Sequence, residues 1–415
     1  DVCSSDLSMA GRLNQSSPYY IDNRKHVADL QKAMEREGLD AYVGTRPRTL
    51  SFLLDAFIPW RSYVVIPRTG EPILHTFIVD ATRVGDETWL STDNVRAYAP
   101  MGGQDPISLI TACLTEELGI SRGRLGVEDG IATYTAEGNL SHYEYTQLEA
   151  ALPGWTLVNA HHLVDELSII KDAGTVARFR EASRIVDVGQ RAVFEALSNG
   201  GWKHLTETVV GGIAALAMRK EGSVSEWNFA GLNEISSGYR TALGACTPPT
   251  TKKLAQGEPL MVDLHSMFHL ALGDHSHNYL IGPATKRQRR HADNFVDLVQ
   301  TVLDHYKEGA TPSSLAQVMM DRAESLDCSD FLLPGCEHGI GLFGDEWRIG
   351  HAMDGPFPYW TNPDHVYQEG EIVICAMQYA SLEEGIGFRY ENPILIGKRG
   401  CEPLSKYPLL IEEIL

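Results

Sequence analysis

Residues 261–278 read MVDLHSMFHLALGDHSHN. Two carboxylates, Asp263 and Asp274, stand eleven residues apart in this stretch, with histidines among and just after them. Divalent ions of hydrolytic sites take oxygen and imidazole ligands, so these residue types point to metal chemistry. Both aspartates lie in strand-like runs, 260–268 and 271–282, whose short separation suits a hairpin. Side chains alternate along a strand. Asp263 therefore shares a face with His265, and Asp274 shares one with Ser276 and Asn278. His275 and His277 point the other way. Further along, PGCEHGIGL puts His338 beside a glycine-rich turn, and GFRYENP puts Glu391 on a late strand with Arg389 on its face.

The elements that must position these groups are legible from periodicity. In the first part of the chain, helical spacing predicts a helix over 22–38, stopped by Gly38, and DAYVG begins a strand. SYVVIP and PILHTFI, joined by RTGE, predict a β-hairpin at 62–78. Helices over 106–119 and 143–154 flank a strand at 124–129. This alternation predicts an N-terminal α/β domain over 9–165. Then come long helices at 172–197, 205–222, 292–309 and 313–326, the strands of the hairpin, and two late strands at 371–380 and 387–397. Helices together with antiparallel hairpins predict an α+β domain over 166–415.

The order Asp263, Asp274, His338, Glu391 resembles that of the creatinase/prolidase/methionine-aminopeptidase superfamily, the pita-bread metal-dependent enzymes. SIIKDAGTVARFREASRIVDVG also resembles the helix that opens the catalytic domain there. The resemblance spans nearly the whole chain, and the N-terminal α/β domain fits the creatinase, prolidase and aminopeptidase P branch. It implies an α+β pita-bread catalytic domain behind a smaller α/β domain. It further implies one or two divalent ions (Mn, Zn, Fe or Co) on those four residues, and a homodimer with the active site near the subunit interface.

This chain also departs from the family pattern. The first late glutamate of the family falls on Ala376, or on Met377, within EIVICAMQYA. A substrate-side histidine of the family falls on Cys246, and the histidine seven residues after the metal histidine is Asp345. A lyase branch acting on dimethylsulfoniopropionate has a similar run with an aspartate base one residue earlier. The expected function is metal-dependent hydrolysis of a C–N bond in a small carboxylate-bearing or dipeptide-like substrate. An Xaa-Pro peptidase, a lyase of that branch and a non-catalytic binding domain are the alternatives. Asp345 and His265 are the candidates to move a proton, and His265, on the face of Asp263, is alternatively a candidate to supply the coordination lost at Ala376. Arg61 and Arg348 would bind a substrate carboxylate through their guanidinium forks, and Trp347 would line the pocket.

Bulk properties narrow the field. A formal charge of −20 and a pI near 5.1 argue against nucleic acid, whose phosphates need a Lys/Arg excess. The seven cysteines are scattered and form no CxxC pair, which indicates neither a disulfide framework nor a zinc knuckle and fits a reduced cytoplasm. No apolar run reaches the ~18 residues that would suggest a membrane span. DVCSSDLSMAGRL lacks the basic and apolar regions of a signal peptide. Residues 1–8 are expected to lie outside the fold, with Met9 a natural start.

Overall fold

The computed structural model describes residues 13–129, 138–224, 233–243, 247–332, 337–350, 362 and 364–415, apart from the side chains at 345 and 347–350. The chain divides into two compact units, 1–169 with 173–175, and 170–172 with 176–415.

The first unit is built on a sheet of order β4-β3-β2-β1-β5-β6. In chain order its elements are α1 (Asn23–Glu37), β1 (Ala41–Gly44), α2 (Pro47–Leu54), β2 (Tyr63–Pro67), β3 (Ile73–Phe77), α3 (Ala81–Glu87), β4 (Val95–Tyr98), α4 (Pro106–Ala112), β5 (Gly123–Val127), α5 (His142–Ala151), β6 (Trp155–Asn159) and α6 (His161–Ser168). Strand parity divides its core. Tyr42, Val64, Ile66 and Leu74 pack with α1, α2 and α6, while Ala41, Val43, Tyr63 and Val65 pack with α4 and α5. The predicted first helix and hairpin are present. The short helices α2, α3 and α6 are additions to the sequence reading. Each has only seven or eight residues, too few turns for a clear apolar period.

The second unit contains α7 (Ala173–Leu197), α8 (Glu207–Lys220), β7 (Glu234–Ser237), β8 (Pro259–Phe268), β9 (Ala271–Ile281), α9 (Lys286–Leu303), α10 (Pro312–Ser325), β10 (Glu337–Gly341), β11 (Gly344–Gly350), β12 (Ile372–Ser381), β13 (Ile386–Ile396), β14 (Cys401–Pro403) and β15 (Ile411–Ile414). They form two sheets, β11-β10-β12-β13-β14 and β15-β9-β8-β7. Leu260, Val262 and Leu264 of β8, with Tyr279 and Ile281 of β9, pack on Ile185, Val186 and Val193 of α7 and on Val210 and Ala214 of α8. The alternate residues of β8 and β9 are buried too, on the face that carries the polar groups. Helix α7 lies close on the hairpin: a Cβ at Gly273 would stand 2.4 Å from the Ala182 carbonyl oxygen. Helix α9 starts six residues before its expected position and ends six residues earlier. Its start is fixed by a capping box in which Thr285 and Gln288 satisfy each other's backbone N–H groups.

Candidate metal centre

The eleven-residue spacing acquires meaning from the hairpin. Only His269 and Leu270 separate β8 from β9, and both have positive φ, 44° and 70°. Positive φ at both central residues is the signature of the two-residue turn whose twist matches paired strands. That turn sets Asp263 opposite Ser276 and His265 opposite Asp274. Asp263 and Asp274 are therefore diagonal neighbours on one face, close enough for their carboxylates to converge. Ser276 donates its hydroxyl to Asp263 Oδ1 at 2.8 Å. His275 and His277 point to the other face. Rings of Tyr390 and Tyr407 adjoin His275, and those of Tyr279 and Tyr407 adjoin His277, which also pairs with Glu412.

The second hairpin supplies the opposite wall. Ala376 on β12 stands in register across from Glu391 on β13. Asp263, His265, Asp274 and Glu391, all buried, each offer a ligand atom, and these atoms lie within 4.8 Å of one another. His265 Nε2 is 3.4 Å from Asp274 Oδ1. His338 adjoins this group, with Nε2 3.8 Å from Glu391 Oε1 and Nδ1 2.9 Å from the Gly339 carbonyl oxygen. A proton on Nδ1, donated to that carbonyl, would leave the Nε2 lone pair available to an ion. Arg389 ties the two sheets together. Its guanidinium lies 2.7 Å from Glu234 Oε2, 3.2 Å from Asp263 Oδ2 and 2.5 Å from Glu391 Oε1. Its backbone exchanges hydrogen bonds with the Asn278 amide.

The electrostatics follow from that arrangement. Burial pushes the Asp263 carboxyl up to about 7, against the pull of Arg389. Burial also works against the Glu391 carboxylate, but Arg389 and His338 outweigh it and hold that group well below the usual range. Three carboxylates, those of Glu234, Asp263 and Glu391, thus converge on one guanidinium, and the Asp274 carboxylate stands close to two of them. Asp263 Oδ2, Glu391 Oε2 and His265 Nδ1 are buried without a hydrogen-bond partner. Buried polar atoms are normally satisfied, and excess buried negative charge is costly. Oxygen and imidazole donors with unfilled valences and excess negative charge fit a divalent cation.

Arg61 lies in the first unit, where its guanidinium forms a two-point pair with Glu144 at 2.8 Å per contact and donates to the Gly138 and Asn139 carbonyls. Asp345 is on β11, opposite Ile340 of β10, and its side chain is outside the described residues, as are those of Trp347 and Arg348. Cys246 also lies outside them. Glu234 and Asn233 were missed in the sequence. Register sets Glu234 directly opposite Asp263, and Asn233 Oδ1 accepts the His265 backbone N–H at 2.9 Å. The signal was an acidic residue opening the short EISS strand, too short to stand out before its partner is known.

Residues 177–398 match the description of metallopeptidase family M24, and residues 26–170 match that of the creatinase/prolidase N-terminal domain. A creatinase of Bacillus sp. (strain B-0618) is 26% identical over 398 residues, covering 91% of this chain and 89% of the creatinase. The structure resembles an Xaa-Pro dipeptidase from Bacillus anthracis with a TM-score of 0.76 at 18% identity, covering 95% of this chain and 100% of the other. It also resembles an X-Pro aminopeptidase from Thermotoga maritima MSB8 with a TM-score of 0.71 at 19% identity, covering 92% and 100%.

Proposed function

Because the chain belongs to metallopeptidase family M24, we propose that it hydrolyses a C–N bond in a small carboxylate-bearing or dipeptide-like substrate with the help of a divalent metal. It is an M24-type hydrolase with the pita-bread α+β fold behind a creatinase/prolidase-type α/β domain. The observation that carries the reading is the convergence of Asp263, Asp274 and Glu391 with imidazole nitrogen in a buried group whose negative charge Arg389 compensates only in part. The 26% identical creatinase supports a small C–N substrate.

Asp263, Asp274, His338 and Glu391 would hold the ion. Bound there, a divalent ion polarises the scissile group and makes water more acidic. Arg389 neutralises part of the carboxylate charge and keeps Glu391 ionised. Asp345 takes the proton from the attacking water as its oxygen bonds to carbon, and returns it to the departing nitrogen as the C–N bond breaks. Arg348 would hold the substrate carboxylate and Trp347 would line the pocket; Arg61, expected beside them, is instead paired with Glu144 in the first unit. The assembly is a homodimer in the cytoplasm; sedimentation tests the dimer and cell fractionation the location.

The test is a metal assay on protein purified without chelator, followed by turnover of carboxylate-bearing amidines, dipeptides and sulfonium compounds. A bound divalent ion together with C–N cleavage is expected. Protein that binds no ion would sink the reading. Release of a volatile sulfide would replace hydrolysis with elimination, and rapid cleavage of Gly-Pro or Ala-Pro would make the protein an Xaa-Pro peptidase.

A further inference from the structure

We propose that His265 is itself a metal ligand, filling the coordination place left by the carboxylate absent at position 376; this rests on the metal-centre reading above. Four observations converge. His265 stands in register with Asp274 on one hairpin, as Ala376 stands in register with Glu391 on the other. Ala376 offers no donor atom, whereas a ligand nitrogen of His265 lies within 4.8 Å of those of Asp263, Asp274 and Glu391. The imidazole is buried, its Nδ1 lacks a hydrogen-bond partner, and no protein group other than Asp274 forms an ion pair with it among the described residues. Its backbone is pinned by Asn233, so the ring is presented from a fixed strand.

The chemical consequence is a change of donor type. A neutral nitrogen replaces an anionic oxygen, so the site carries two imidazoles, His265 and His338, with three carboxylates, Asp263, Asp274 and Glu391. Imidazole suits zinc, iron and cobalt better than manganese, which favours carboxylate and water. The centre is therefore tuned toward the nitrogen-preferring ions. Losing one negative charge also lets the cluster tolerate metal-free intervals with less repulsion.

The experiment compares the full-length protein with His265→Asn and His265→Asp, after metal removal and reloading with Mn(II), Zn(II) or Co(II). Pulsed paramagnetic resonance of the Mn(II) form counts the imidazole nitrogens bound to the ion. Two nitrogens are expected in the wild type and one in each variant. Co(II) affinity should fall about a hundredfold or more in His265→Asn, the upper end of what loss of an outer partner costs. His265→Asp should keep an ion but shift preference toward Mn(II). The nitrogen count separates a ligand from a residue that merely positions one. An unchanged count in both variants, with the ion still bound, overturns the inference and leaves the metal centre standing. No bound ion in the wild type overturns the metal centre, and the inference with it. If His265→Asn does not fold, His265→Asp and the wild-type nitrogen count decide.

Discussion

Two buried carboxylate centres in this chain look alike by composition and differ in how far they are satisfied. In the first unit, Glu128 is fully buried and both of its oxygens are bonded. Tyr42, Arg46 and Thr49 side chains donate to Oε1, and the backbone N–H groups of Thr45 and Arg46 donate to Oε2. Burial alone would raise its pKa, but Arg46 and these donors hold it below the usual range. In the second unit, Asp263 and Glu391 each keep an oxygen without a hydrogen-bond partner, and burial wins at Asp263. Complete satisfaction marks a structural bolt. Incomplete satisfaction at equal burial marks a place prepared for something else.

This contrast can be broken by experiment. The largest effect on stability belongs to the first centre. Glu128→Ala takes one of two carboxylate partners from the buried Arg46, leaving Asp165, and leaves the buried Tyr42 hydroxyl and Thr45 N–H without their acceptor; it should cost about 3–5 kcal/mol in urea unfolding, or prevent folding. Asp274→Ala should do the reverse: it should abolish metal binding, read by metal analysis, while changing metal-free stability by only about 1 kcal/mol, since it relieves like charges. Equal destabilisation by both would erase the distinction. Asp345→Asn should lower turnover by about a hundredfold or more while the ion stays bound. Ala376→Glu should raise the number of ions per chain by restoring a carboxylate opposite Glu391, also read by metal analysis.

The smallest effect is a pH dependence. Glu128 has a depressed folded pKa, so its contribution is fully present above the unfolded value near 4.5 and is lost as pH falls through the folded one. Thermal stability at pH 5–7 should owe nothing to this group's titration. Below about 4.5 stability should decline, and Glu128→Gln should flatten that decline.

Much of the site is legible in the amino-acid sequence. The parity of HSMFHLALGDHSHN separated His265 from His275 and His277, because a strand offers only two faces. The short gap between the strand-like runs predicted the hairpin, and the two-residue turn that closes it does bring the aspartates onto one face. The start of α9 was hidden, because its capping box lies before the apolar period begins. The partners of Arg389 were hidden more deeply. Glu234 precedes it by 155 residues, and no local pattern links the two.

The sequence by itself therefore determined the family, the order of the donors and the face of the hairpin on which each must stand. Those properties depend on residue type and short-range periodicity, which a linear chain carries in full. Only the tertiary structure decided that His265 joins the tight donor group, that Arg389 bridges three carboxylates, and that Ala376 faces Glu391 rather than another residue. These are consequences of how two hairpins from separate sheets meet, and contacts between distant segments are fixed by packing rather than by neighbouring residues.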